Sequence, residues 1–224
     1  MVEMKTYLSK GKSKFLWHFP DSETHFIKVM NNDINPEYQY KVKRMIEDRK
    51  HLVNFNHVLD IGANVGLWTR WFSYHGAKLV DCFEPMKDNV ECLIANTKDL
   101  AGILIHNCAL GAAEGTLTLY NSAEQKNSGA ATIDTSKLST SKSLVEQIVE
   151  CKTLDSFNLS PTFVKIDVQG AEMMVLKGGT ETFKKHKPSI VIECNDNGEI
   201  LELLYSWGYE KIMNIGNDAL MVAR

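Results

Sequence analysis

Short apolar runs alternate with helix-spaced apolar positions along most of this chain, most regularly from residue 57 onward. Val58-Leu59 ends in Asp60, a glycine-bearing turn follows, and the helix-like pattern runs on through Trp68 and Phe72. That order predicts a buried parallel strand feeding a helix through a tight loop. Lys78–Pro85 repeats the strand, and Val90, Leu93 and Ile94 repeat the helix. Ile103–Ala109 reads as a third strand. Thr162–Gly170 reads as a fourth, with Ala171, Met174, Val175 and Gly178 as the packed face of its helix. Ser189–Asn195 is a fifth, and Ile200, Leu203, Leu204 and Trp207 mark the clearest amphipathic helix. Tyr209–Ile215 and Asp218–Ala223 follow as two strands joined across Gly216-Asn217.

The remaining segments are less regular. Phe15–Phe19 and His25–Met30 are expected as paired strands, with turn chemistry in Pro20-Asp21-Ser22-Glu23. Tyr38, Val42, Met45 and Ile46 then share one helical face. Thr116–Tyr120 and Ala130–Ile133 are expected as an inserted β-hairpin, connected by a polar loop carrying Asn127-Ser128-Gly129. Residues 134–146 read as loop, and Glu146–Thr153 as extended. Five β/α units closed by an antiparallel pair give an α/β fold with a mostly parallel sheet and helices on both faces. Residues 1–50 are expected to pack on the core as a hairpin and helix without independent stability, and residues 51–224 to form the main domain.

Composition narrows the class of protein. At 224 residues, 44% hydrophobic and 24% charged, the chain has the profile of a soluble globular domain. A formal charge of −3 offers no electrostatic footprint for nucleic acid, so no such partner is expected. Cys82, Cys92, Cys108, Cys151 and Cys194 form no Cys-x-x-Cys pair. Zinc and redox motifs are therefore not expected, and a reducing, cytoplasmic setting is. No apolar run approaches the ~20 residues of a membrane span, and Met1–Lys14 is too polar for a signal peptide. Oligomeric state is left open.

The chemistry concentrates at the first strand–helix turn. A dinucleotide fingerprint needs Gly-x-Gly-x-x-Gly, but Asn64 stands two residues after Gly62; a Walker loop needs Gly-Lys-Ser/Thr, also absent. What remains is Asp60-x-Gly62-x-x-x-Gly66. An acid there repels phosphate and suits a cationic ligand. S-adenosylmethionine carries an ammonium and a sulfonium and no phosphate, and is the expected cofactor. Gly62 and Gly66 are expected where a ligand approaches the backbone, with Ala63 and Asn64 between them. Glu84, at the end of the second strand, is expected to accept hydrogen bonds from ribose hydroxyls. Asn107 and Cys108, ending the third strand, are expected beside the adenine, with a strand-end turn as their alternative role.

These segments resemble the FkbM-type methyltransferase family. The resemblance runs through Leu59-Asp60-Ile61-Gly62-Ala63-Asn64-Val65-Gly66, Phe83-Glu84-Pro85, Asn107-Cys108-Ala109-Leu110-Gly111 and Thr153-Leu154-Asp155. It continues in Lys165-Ile166-Asp167-Val168-Gln169-Gly170-Ala171-Glu172 and in Lys187-Pro188 before Ile192-Glu193. It implies a class I, Rossmann-like, seven-stranded sheet with one antiparallel strand, and O-methylation of a sugar or other small hydroxylated acceptor. Gln169 stands where the family usually has Glu, so no base role falls to it.

In an open α/β sheet the ligand lies outside the carboxyl ends of the strands, where Asp60, Glu84, Asp167 and Glu193 are expected together. Asp60 and Glu84 go to the cofactor. Asp167 is the expected base, its alternative being a helix cap or a contact to the cofactor's amino group. Glu193 is expected near the acceptor and is the second candidate for the base after Asp167, with Tyr40 and Asn127 as further acceptor contacts. His18 is an alternative base, whereas Trp17 is expected as packing. Asp167, Glu193 and Asn195 carry oxygens that suit Mg²⁺, but their separation in sequence gives no ligand motif, and no metal is expected. Two other readings remain at this stage: a catalytically silent cofactor- or partner-binding domain, and a methyltransferase acting on RNA.

Overall fold

The structure, a computed structural model, describes residues 4–8, 16–21, 23, 37–122, 129–133, 144–194 and 197–224. The chain begins with strands β1 (Met4–Leu8) and β2 (Leu16–Pro20), paired antiparallel from Met4 opposite Pro20 to Leu8 opposite Leu16. Leu16–Pro20 therefore takes its partner from the preceding segment. The expected partner, His25–Met30, lies outside the described residues. Met4–Leu8 is too short and too polar to declare itself by periodicity, and it acquires strand character only by pairing. Helix α1 (Glu37–Glu47) follows, burying Val42, Met45 and Ile46 on one face.

The β/α series then runs as expected. Strand β3 (His57–Ile61) leads to α2 (Leu67–Tyr74), and β4 (Leu79–Phe83) to α3 (Lys87–Thr97). The third strand, β5 (Ile103–His106), ends before Asn107. The chain then leaves the main sheet for β6 (Ala109–Leu110), β7 (Gly115–Ser122) and β8 (Leu144–Lys152). It returns through β9 (Phe163–Ile166), and Gly179 separates two short helices, α4 (Glu172–Gly178) and α5 (Thr180–His186). Strand β10 (Ser189–Glu193), helix α6 (Gly198–Ser206) and strands β11 (Tyr209–Ile215) and β12 (Asp218–Ala223) complete the chain.

Seven strands form the central sheet in the order β11-β12-β10-β9-β3-β4-β5. Pairing is parallel throughout β10, β9, β3, β4 and β5, and β12 inserts antiparallel between β10 and β11. Order reverses beside β3, so the crevice at the carboxyl ends of β3 and its neighbours is the natural ligand position. Both faces are covered. One carries Leu59, Ile61, Val164, Ile166, Ile190 and Ile192 against α4, α5 and α6. The other carries Val58, Val80, Phe163 and Val191 against Trp68 and Phe72 of α2 and against α1. β2 lies on α3, where the Asn96 side chain accepts from the His18 N–H and donates to the carbonyls of His18 and Val65.

The insertion is a three-stranded sheet with β8 in the middle, parallel to β6 and antiparallel to β7. The long partner of β7 is thus Leu144–Lys152, from Gly115 opposite Cys151 to Ser122 opposite Leu144. Ala130–Ile133, expected as that partner, contributes a single bridge between Thr132 and Tyr120. The reason is one of length: eight residues of β7 find a matching ladder only in β8, and alternation in a strand does not identify a remote partner. Residues 144–146, read as loop, belong to that strand.

Candidate functional site

A cavity of about 250 Å³ opens at the carboxyl ends of β3, β4 and β9. The β3–α2 turn supplies Gly62, Ala63, Asn64, Leu67 and Trp68, and the end of β4 supplies Glu84, Pro85 and Met86. Lys165, Asp167, Val168 and Gln169 line it from β9 and the following loop. Leu117, Leu119, Gly129, Ala131 and Ile133 of the insertion form an apolar wall.

Glu84 is buried and holds the turn in shape. Its Oε2 accepts from the Asn64 N–H at 2.8 Å, and its Oε1 from the Met86 N–H at 3.0 Å and Asn89 Nδ2 at 3.2 Å. Burial raises its pKa, with those three donors opposing the rise. A carboxylate offers about four acceptor positions, so Oε2 keeps one for a ligand. Asn64 sits at φ 50, a left-handed conformation that Asn tolerates better than most side chains.

The two glycines of the turn do a different job from the one expected. A Cβ on Gly62, at φ +79, would lie 1.9 Å from the Asp167 carbonyl oxygen. The close approach is therefore made by the protein's own β9 loop, although Gly62 also lines the cavity. Gly66 does not line it. A Cβ there would meet Leu93 at 2.7 Å, so its bareness lets α2 and α3 pack.

Asp60 also departs from expectation. It is fully buried beneath the cavity lining; Oδ2 accepts from Thr69 Oγ1 at 2.7 Å, while Oδ1 has no hydrogen-bond partner among the described residues. Its charge is faced from inside the protein by Lys165, whose Nζ lies 3.6 Å from Asp60 Oδ1 and 3.5 Å from Asp167 Oδ2. Lys165 Nζ also donates to the Gly62 carbonyl at 3.3 Å. Burial would lower the Lys165 pKa, but the charges of Asp167, Asp60 and Asp218 raise it overall, so the ammonium is retained. Lys43 of α1 stands over the Trp68 ring, its pKa lowered to about 8 by burial, against the pull of Asp60 and with the push of Lys165.

Sequence reasoning missed Lys165, although a signal was present. A central parallel strand is expected to be continuously apolar, and Phe-Val-Lys-Ile carries a cation directly in register with Asp60 on β3. Opposite charges facing each other on adjacent buried strands identify an ion pair.

Beyond β9, the loop gathers the remaining acids. Gln169, at φ 54, donates from Nε2 to Asp167 Oδ1 at 2.8 Å and to Glu193 Oε2 at 3.1 Å. Its carbonyl accepts from Thr132 Oγ1, which ties the insertion to the strand ends. Burial would raise the Asp167 pKa, but Lys165 and the hydrogen bonds from Gln169 and Glu193 hold it below the ordinary value. Glu193 is pushed up to about 7 by burial and by the charges of Asp167, Glu172 and Asp218. Glu172, in the first turn of α4, is buried, and its Oε1 accepts from the N–H groups of Val168 and Gly170.

Of the other expected residues, Ala63 and Cys108 line the cavity. Asn107 takes its alternative role: its Nδ2 spans the carbonyls of Glu84 and Pro85 at 2.9 and 3.0 Å and braces that strand end. Glu193 reaches the cavity only through Gln169. Tyr40 is 61% exposed on α1, away from the cavity lining, and His18 is likewise not part of it. Trp17 stacks on Phe19, as a packing residue should. Asn127 and Asn195 lie outside the described residues. Among those described, no three His, Cys, Asp or Glu side chains are grouped to hold a metal ion, and no helix is long and apolar enough to cross a membrane.

A mostly parallel seven-stranded sheet with one antiparallel strand, and a cavity over its β3–α2 turn, define a class I methyltransferase-like fold. The chain belongs to the FkbM methyltransferase family, whose domain model, Methyltransferase FkbM domain, matches residues 60–211. Among solved structures it is similar to methyltransferase FkbM from Methylobacillus flagellatus KT, at 19% identity and a TM-score of 0.56. That match covers 78% of this chain but 46% of the other, so the chain spans less than half the length of that relative. A ribosomal protein L11 methylase from Lactobacillus delbrueckii subsp. bulgaricus matches at 12% identity and a TM-score of 0.49, covering 80% of this chain and 75% of that one. M. jannaschii TYW2, solved in complex with AdoMet, matches at 13% identity and 0.47, covering 100% and 88%. No curated protein matches the chain.

Proposed function

We propose that the protein is an S-adenosylmethionine-dependent O-methyltransferase that transfers a methyl group to a hydroxyl of a sugar or other small hydroxylated acceptor. The observation that carries this reading is the juxtaposition, in one FkbM-family cavity, of Glu84 with an open acceptor position and Asp167 held ionised beside Lys165.

The residues present fit this cofactor. Glu84 Oε2 would accept from a ribose hydroxyl, and the Ala63–Asn64 backbone and Cys108 would flank the nucleoside. Asp60, Glu84, Asp167 and Glu193 outnumber the nearby cations Lys165 and Lys43 and leave a field that favours a cationic ligand over a phosphate. When bound, S-adenosylmethionine supplies the methyl group from its sulfonium and leaves as a neutral thioether.

The protein's own part is positioning and proton removal. Lys165 keeps Asp167 in the carboxylate form, which orients an acceptor hydroxyl by accepting its hydrogen bond. A protonated hydroxyl is a poor nucleophile, and a positioned base contributes about 10²–10⁴-fold. The apolar wall of Leu117, Leu119 and Ile133 limits water at the reacting oxygen. Calorimetric titration with S-adenosylmethionine and NAD, followed by turnover against a panel of glycans and small alcohols, tests the reading. Binding of S-adenosylmethionine alone, with acceptor-dependent formation of S-adenosylhomocysteine, supports it. Failure to bind, or product formed only with RNA, refutes it.

A further inference from the structure

Asp167 faces the cavity, and Glu193 stands behind it at the end of the neighbouring strand β10, partly open to solvent. One amide, Gln169 Nε2, donates to both carboxylates, at 2.8 Å to Asp167 Oδ1 and 3.1 Å to Glu193 Oε2, and so holds the two side chains beside each other. Two acids so placed do not ionise independently, because the first charge opposes the second. The surroundings divide them. Lys165 stands on the Asp167 side, 3.5 Å from Oδ2. Glu193 is surrounded by like charge, with Glu172 of α4 and Asp218 of β12 near it, and besides the Gln169 amide it accepts a long contact of 3.5 Å from Asn217 Nδ2. Asp218 is its direct cross-strand neighbour.

We propose that Asp167 and Glu193 work as one proton-accepting unit, Asp167 receiving the acceptor's hydroxyl proton on the cavity side and Glu193 holding and releasing it on the solvent side, with Gln169 as the clamp between them. The proposal rests on the O-methyltransferase reading above. In the transfer, the acceptor's O–H bond breaks and its oxygen forms the new bond to the methyl carbon. The carbon–sulfur bond of the sulfonium breaks with its electron pair left on sulfur. The hydroxyl proton goes to the carboxylate pair and from there to water, so charge balances without any further reactant.

The arrangement answers a difficulty in a single-residue mechanism. A carboxylate held below its ordinary pKa is always available but weakly basic, and efficiency is greatest when the accepting group's pKa lies near the working pH. Coupling to Glu193, whose pKa is about 7, gives the pair a first protonation near neutrality while leaving the ionised member in the cavity. Glu193 is thus a positioning and proton-holding residue, one step removed from the acceptor. Lys43, over the Trp68 ring, faces Asp60 and is no part of the pair.

The test has two readouts. In full-length protein carrying ¹³C-carboxyl-labelled Asp and Glu, Glu193 should titrate near neutrality, and Asp167→Asn should bring it back toward the ordinary glutamate range. Turnover should rise with pH through the same midpoint. Glu193→Gln should remove that limb of the profile and lower kcat about 10²-fold at slightly alkaline pH, with the acceptor KM and cofactor affinity little changed. Gln169→Glu, which removes the shared donor and adds a charge, should move the midpoint upward. A Glu193 that titrates as an ordinary glutamate, or a Glu193→Gln profile identical to the parent's, overturns the proposal while leaving the methyltransferase reading intact. The expected titration without turnover of any hydroxylated acceptor overturns the transfer reading and the proton's assigned source together.

Discussion

Two groups of buried acids are built into the same sheet and are treated in opposite ways. In the first, Asp81 of β4 lies between His57 of β3 and His106 of β5, with its Oδ2 2.7 Å from one Nε2 and its Oδ1 2.6 Å from the other. Each oxygen has a partner, the Asp81 side chain is 1% exposed, and His106 is packed on the Phe83 and Phe157 rings. In the second, Asp60, Asp167 and Glu193 share Lys165 and Gln169, an oxygen of Asp60 has no hydrogen bond among the described residues, and the Glu193 carboxyl is pushed toward its protonated form. The first group is closed and spends its charge on stability. The second is incompletely satisfied and faces a cavity, which is how a functional cluster differs from a structural one when both are made of carboxylates.

The sharpest way to break this distinction is Asp167→Asn. Its expected effect is loss of about 10²-fold or more in turnover, with the fold retained, some loss of stability because Lys165 loses a partner, and cofactor affinity nearly unchanged. Equal loss of turnover and of S-adenosylmethionine binding would make Asp167 a cofactor ligand instead.

The counterpart is Asp81→Ala, which should be costly to stability and nearly silent in chemistry. Removing one partner of a buried charged group costs about 3–5 kcal/mol. Because His57 and His106 keep 15% and 24% exposure, the expected loss is near the lower end, about 3 kcal/mol. Denaturant unfolding would measure it, with turnover per folded molecule retained. The sign with pH is also fixed. Burial would raise the Asp81 pKa, but the hydrogen bonds from His106 and His57 lower it below its ordinary 3.8. Its stabilisation is therefore present above that value and is lost as pH falls through the lower, folded-state one. A folded Asp81→Ala protein that has lost turnover would show that the closed cluster reaches the site.

Much of this contrast was legible before the fold was. Asp60, Glu84, Asp167 and Glu193 each end an apolar run, and the rule for parallel sheets gathers strand ends at one rim. Asp81 carried no such signal, because an acid inside a strand is assigned a partner only once the neighbouring strands are in register. Lys165 was legible in principle as a cation in a buried strand. The pairing of β7 with β8 was not, since residues 123–143 separate them and alternation specifies a face without naming a partner. Gly66 misled for a related reason: a bare backbone position shows that something approaches, and here it is Leu93.

A smaller effect separates cofactor binding from both clusters. Glu84→Ala removes the open acceptor position at the cavity and should weaken S-adenosylmethionine about tenfold or more, as a hydrogen bond to a charged group is worth about 1.5–3 kcal/mol. Asn64, Met86 and Asn89 would lose an acceptor as well, so a modest fall in stability should accompany it. The more conservative Glu84→Gln keeps one acceptor oxygen but turns an NH2 toward either the Asn64 N–H or the Met86 N–H. It should lose affinity too, and unchanged affinity in both variants would remove Glu84 from the cofactor site.

The smallest expected effect is the most direct measure of the difference between the clusters, because it reverses sign. Glu193 has its pKa raised from 4.5 to about 7, first by burial and then by Asp167, Glu172 and Asp218. A carboxyl with a raised folded-state pKa binds its proton more tightly in the folded chain than in the unfolded one. Its contribution is therefore fully present below about 4.5 and is lost as pH rises through about 7. Asp81 behaves in the opposite sense. Glu193→Gln should consequently match the parent near pH 4.5 and exceed it above pH 7. Because Glu193 is partly exposed, solvent screening limits the gain to no more than about 1 kcal/mol, or about 2–4 °C in Tm for a chain of this size. Thermal melts of both proteins across that interval read it. A variant less stable than the parent at alkaline pH would mean that Glu193 is a satisfied structural acid like Asp81, and the two clusters would then be of one kind.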